Sequence, residues 1–168
     1  MTTPLRYALV VVTAMVLQRG LFAELRIADA APDVLLVVAV AAGIAGGPER
    51  GAVVGFFCGL ALDLMLPSPL GLAALSYLAA GAAVGRVHSA DHRAARWRVM
   101  ALSALGCAFG VAVFAVLGTV LGQDGYITGH LATIALVVAV AGAILGPLAV
   151  RVCRWAEDDA DHLRPALR

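Results

Sequence analysis

Asp63 is the residue of this sequence best placed to do chemistry, because it is the only acidic side chain well inside a long apolar segment. A charge at mid-bilayer costs about 2.5–3.5 kcal/mol on insertion scales, so such a residue faces a bundle interior or a partner. Three roles stay open for it: a structural or partner contact, an interfacial residue a turn from the segment's end at Leu66, or ion or proton coupling. Gly51, Gly55 and Gly59 precede it at four-residue intervals and share one slowly drifting helix face. A face without side chains lets another backbone approach closely. The strip is therefore expected to pack a helix, of this chain or of a partner, with Asp63 bonding across the contact. Glycine and alanine are abundant here, and Gly81/Gly85, Gly106/Gly110, Gly118/Gly122 and Gly142/Gly146 repeat the spacing. What sets the strip apart is four aligned positions ending in a carboxyl group.

The other reactive residue types are scattered. Cys58, Cys107 and Cys153 lie in or at the end of apolar runs without Cys-x-x-Cys or Cys/His spacing, which suits small packing residues and no metal site or disulfide framework. His130 stands alone and reads as an interfacial histidine. Arg86, Arg93, Arg96 and Arg98, with His88 and His92, make a basic loop suited to anionic lipid headgroups, with a protein partner as the sharper alternative. Nucleophile–base pairings, a phosphate-cradling loop and a dinucleotide fingerprint are missing. No catalytic residue, cofactor, metal or nucleic-acid partner is expected, and the chain reads as a non-enzyme.

The elements that carry these residues follow from composition. The chain has 168 residues, of which 62% are hydrophobic and 14% charged, and its mean hydropathy is +0.94. A soluble domain is nearer half apolar and a quarter charged, so this chain belongs in a membrane. Six apolar stretches approach the ~20 residues that a helix needs to cross a ~30 Å hydrocarbon core. They run over 7–23, 34–47, 51–66, 70–87, 99–122 and 131–152. Backbone groups in lipid must be satisfied within the segment, which makes each a helix, and the alternation of a membrane barrel is absent. The second and third stretches are short and separated only by Pro48-Glu49-Arg50, so they fit two short crossings, a partial hairpin, or helices extended into the interface. Pro32 and Asp33 open the second helix, with Asp33 favourable at its N-terminus. Pro67, Pro69 and Gly71 mark a tight turn between the third and fourth. The polar stretch from Gln18 to Ala28 is too long for a signal-peptide cleavage region, so the first helix is expected to stay uncleaved.

All twelve basic residues are arginine. With the N-terminus in the cytoplasm, Arg6, Arg50, Arg86, Arg93, Arg96, Arg98, Arg151, Arg154, Arg164 and Arg168 fall inside and only Arg19 and Arg26 outside, the asymmetry of the positive-inside rule. Trp97 and Trp155 sit beside arginines as interfacial anchors. The expected architecture is an all-α, six-transmembrane-helix bundle over residues 1–156 with both termini cytoplasmic, and a short polar tail over 157–168.

The order of motifs carries a resemblance. Pro32-Asp33-Val34-Leu35-Leu36, then Gly51-x-x-x-Gly55-Phe56-Phe57-Cys58-Gly59-Leu60-Ala61-Leu62-Asp63, then Pro69-Leu70-Gly71-Leu72, then Tyr77-Leu78-Ala79-Ala80-Gly81 resembles the MreD family of rod shape-determining membrane proteins. Gln18, near the end of the first helix, also fits, whereas the last two helices match only in hydropathy. The resemblance implies a non-enzymatic scaffold of the cell-wall elongation machinery in the bacterial plasma membrane. Its implied partner is MreC, and through it the RodA glycosyltransferase, a class B penicillin-binding protein and the MreB filament. It also implies a fold similar to the substrate-binding subunits of energy-coupling-factor vitamin transporters. That similarity supplies a rival reading, a small-molecule-binding membrane subunit. The embedded polar residues that would line its site are few: Gln18, Asp63, Ser76, Tyr77, Ser103, Thr119 and Thr133.

Overall fold

A chain this apolar folds by satisfying its backbone locally, and the computed structural model, which describes residues 3–22, 32–65, 70–88, 96–122 and 130–162, is helical there apart from short turns and helix starts. Helix α1 (Thr3–Leu17) runs into a π-helical turn at Gln18–Phe22. It is followed by α2 (Val34–Asp63), α3 (Leu72–His88), α4 (Arg96–Val120) and α5 (His130–His162). Three helices are long and apolar enough to cross a membrane: α2, α4 and the Leu131–Glu157 stretch of α5. Helices α1 and α3 are shorter, at 15 and 17 residues.

The second and third of the six apolar segments follow each other directly within α2, as two helical arms. The join is broken at Gly47, whose φ of 83° and ψ of −176° lie in a region essentially restricted to glycine. Pro48 follows, and its fixed φ and missing N–H suit the first turn of a new helix. The two arms, 34–46 and 48–63, double back on each other. A side-chain carbon placed on Gly51 would lie 2.7 Å from the Cα of Gly43, whereas eight residues of straight helix separate Cα atoms by about 12 Å.

The first arm of α2 is the core of the bundle. Every residue from Leu35 to Ile44 is buried, as expected for a helix that is apolar on all sides. Its start is held by side chains. Asp33 accepts the Leu36 N–H at 3.1 Å, and Gln18 accepts the Val34 N–H at 2.8 Å while donating to the Pro32 carbonyl at 3.0 Å. Helices α4 and α5 close the bundle through small residues. A carbon on Gly106 would lie 2.6 Å from Val84, one on Gly110 2.7 Å from Leu36, and one on Gly142 2.7 Å from the Cys107 sulfur. Their outer faces carry bare aliphatic and aromatic side chains, among them Leu105, Phe109, Leu136, Ile144 and Leu148. Helix α5 continues to His162, so the stretch expected as a polar tail begins as helix.

Candidate functional site

The glycine strip lies against α3. A side-chain carbon on Gly51 would approach the Gly81 carbonyl carbon to 2.7 Å, one on Gly55 the Tyr77 carbonyl carbon to 2.7 Å, and one on Gly59 the Ala73 carbonyl carbon to 2.5 Å. Real side-chain carbons do not come so close, so backbone meets backbone along the whole contact. Asp63 ends the strip and is buried. Its carboxyl group accepts the N–H of Gly71 at 2.9 Å, of Ala73 at 3.1 Å and of Ala74 at 3.2 Å. The first N–H groups of a helix lack intrahelical partners, and a carboxyl there satisfies them and opposes the helix dipole. Gly71, with φ of 100°, turns the chain so that its own N–H reaches the same carboxyl. Tyr77, on α3, donates its hydroxyl hydrogen to Asp33, tying α3 to the start of α2's first arm. Pro32 is buried beside this cap. Pro69 and Arg93 lie outside the described residues.

The opposite end of the bundle gathers arginine. The Arg6 guanidinium donates to the Trp155 carbonyl at 2.9 Å and lies 4.8 Å from the centre of that ring. Tyr7 donates to Glu157 at 2.7 Å, and Arg50 sits 3.8 Å from the same carboxylate. A carbon on Gly85, near the end of α3, would lie 2.6 Å from the Pro48 nitrogen. Arg96, at the start of α4, shares a cleft with Arg151 and Arg154, and Arg98 shares one with His88 and Trp97. So α1 begins, α2 breaks, α3 ends, α4 begins and α5 ends at one pole. Of the described arginines, Arg6, Arg50, Arg86, Arg96, Arg98, Arg151 and Arg154 lie at this pole, and Arg19 lies towards the other.

Between the poles, α1 stands partly away from its neighbours. A groove of about 420 Å³ runs between α1, the first arm of α2 and α5, with Leu9, Thr13, Val38, Leu145, Ala149 and Val152 among its walls. Its lining is almost wholly aliphatic, and Trp155 closes it at the arginine-rich pole.

The structure brings Gly51, Gly55, Gly59, Asp63 and Gly71 together, with Pro32 and Asp33 joined to them through Tyr77. Arg86, Arg96 and Arg98 lie at the far pole. Sequence reading did not single out the Tyr7–Glu157 contact or the groove, because both combine residues from opposite ends of the chain. The signal available for Tyr7 was a tyrosine one residue from Arg6 at a helix start.

Helices packed through bare glycine faces, and clothed outside in exposed aliphatic side chains, define an all-helical membrane protein rather than a water-soluble bundle. The chain belongs to the family of the rod shape-determining protein MreD, whose family model matches residues 3–149. It is thus a rod-shape-determining membrane protein of a structural family. No curated protein and no solved structure matches it.

Proposed function

We propose that this protein is a non-enzymatic scaffold of the cell-wall elongation machinery in the bacterial inner membrane. It seats the membrane helix of an MreC-like single-span protein and through it gathers a RodA-type glycosyltransferase, a class B penicillin-binding protein and, indirectly, the MreB filament. All six helical segments lie in the membrane, the two arms of α2 counted separately, with both termini at the cytoplasmic, arginine-rich pole. The observation that carries the partner reading is the groove between α1 and α5, an aliphatic trough on the outside of the bundle that the described chain leaves open. The glycine strip, which also suited a partner helix, is occupied by α3.

The rival reading, a vitamin-binding subunit, finds less support. The cleft that gathers polar groups at the Asp33 pole is about 200 Å³, below the ~300–1,000 Å³ usual for small-molecule sites. Within it, Asp33 and Tyr77 already bond each other.

The test combines affinity purification from native membranes in mild detergent with a photo-crosslinking residue at Leu9 or Val152. Recovery of an MreC-like protein, cross-linked from these groove positions and not from Leu105 on the outer face of α4, is expected. Recovery of an ATPase module with a coupling subunit instead overturns the scaffold reading. Equal cross-linking from Leu105 removes the groove as the seat.

A further inference from the structure

The cleft between α4 and α5 at the arginine-rich pole is a separate feature, and its chemistry differs from that of the groove. It measures about 530 Å³ and is walled by Arg96, Arg151 and Arg154 above an apolar floor that includes Val99, Ile144 and Leu148. Arg151 and Arg154 are three residues apart, so they share one face of α5. Arg96 faces them as the first residue of α4, where the free N–H groups and the dipole of a helix start add positive potential. Other arginines of this pole have partners: Arg6 has the Trp155 carbonyl, Arg50 has Glu157, and Arg98 has the Trp97 ring. Among the described residues, Arg96, Arg151 and Arg154 have no hydrogen bond, ion pair or ring contact. Glu157, the nearest described carboxylate in sequence to Arg154, is taken by Tyr7 and Arg50.

Three guanidiniums around one cleft repel one another until an anion enters, and a phosphate matches their forked donors best. The floor decides what carries that phosphate. Ile144 and Leu148 are 68% and 63% exposed, so they extend the cleft as an apolar path along the outer face of α5. Exposed Trp97 and Trp155 at the same pole mark the depth at which aromatic rings meet lipid headgroups. We propose that the Arg96/Arg151/Arg154 cleft is a specific site for an anionic phospholipid, whose phosphate the three arginines hold while an acyl chain lies on Ile144 and Leu148. The arginine walls of this site are separate from the partner groove, and Leu148 lies at the edge of both.

Native mass spectrometry and thermal unfolding of the full chain in a neutral detergent test this, with phosphatidylglycerol, phosphatidylcholine and inorganic phosphate as probes. Phosphatidylglycerol is expected to bind and raise the unfolding temperature, phosphatidylcholine to do so weakly, and inorganic phosphate not at all. Arg151→Gln with Arg154→Gln should weaken phosphatidylglycerol binding by about tenfold or more, the scale of losing charge-assisted hydrogen bonds. Arg96→Gln, a single change at a helix start, should weaken it several-fold even if the double variant does not fold. Arg19→Gln, the same charge loss at the other pole, should leave it unchanged. Undiminished binding by the Arg96 variant, or equal binding of phosphatidylcholine, overturns the site. Equal protection by inorganic phosphate shows a free-anion site and overturns the lipid assignment.

Discussion

At Asp63 a side chain that is costly in a membrane becomes favourable because of where the next helix starts. The carboxyl group meets three N–H donors of Gly71, Ala73 and Ala74, so both partners leave water together and neither is left unsatisfied. Of the three roles open to it, this geometry supports the structural one. Asp63→Ala removes the acceptor and leaves buried N–H groups unpaired, and should destabilise the protein by about 2–3 kcal/mol. Asp63→Asn keeps one acceptor oxygen and should cost about 1 kcal/mol. Thermal unfolding in detergent measures both. Rod shape restored in cells by Asp63→Asn but not by Asp63→Ala fits a cap, whereas equal loss with both at unchanged stability points to a charge-dependent role.

At the scale of the element, two glycines of α2 do different work. Gly47 has nothing within 4 Å of the place a side-chain carbon would take, so Gly47→Ala meets no clash. Its cost is conformational, about 1–3 kcal/mol for a non-glycine residue at that φ and ψ. Gly55 is helical, and its cost is steric. Gly55→Ala must push α3 away from the Tyr77 carbonyl, for about 1–3 kcal/mol of overpacking, and Gly55→Leu should prevent α2 and α3 from packing at all. Unfolding midpoints of the three variants separate the mechanisms. A larger residue than alanine adds little at position 47 and much at position 55, and the reverse order would refute the assignment. Glycine pairs that looked like background in the sequence, Gly106/Gly110 and Gly142/Gly146, also sit in close contacts. In a membrane, where lipid is as apolar as the side chains, close approach is what holds helices together.

For the whole molecule, the distribution of arginine decides how it sits in the bilayer. Charge biases insertion when it lies near helix ends, and the described arginines other than Arg19 collect at one pole, where α1 begins and α5 ends. A fluorescent protein fused after Arg168 should therefore light up in the cytoplasm, and a periplasm-active phosphatase fused there should stay inactive. Active phosphatase at that end would invert the molecule and place the Arg96/Arg151/Arg154 cleft outside. The same pole is pinned by Tyr7–Glu157, a contact across 150 residues of chain, and by the stacking of Arg6 on Trp155. These hold the base of α1 while the groove above stays open.

Composition and patterning determined most of what is local. Apolar runs made helices because lipid leaves no other way to satisfy the backbone, arginines marked their ends, and Pro48 and Gly71 marked the turns. The family signature was legible because its residues are close in sequence: a Pro-Asp helix start, a glycine strip and its carboxyl. The tertiary structure alone decided what each surface faces. A glycine face suits any approaching backbone, and only packing showed that α3 fills it and that Asp63 caps the filling helix. Two apolar stretches around Gly47 suit separate crossings or a hairpin, and only the backbone at Gly47 and the contact of Gly51 with Gly43 showed that they double back on each other. The groove and the arginine cleft were invisible in one dimension, since each joins side chains from different helices, and distance along the chain says nothing about which lipid-facing surfaces meet.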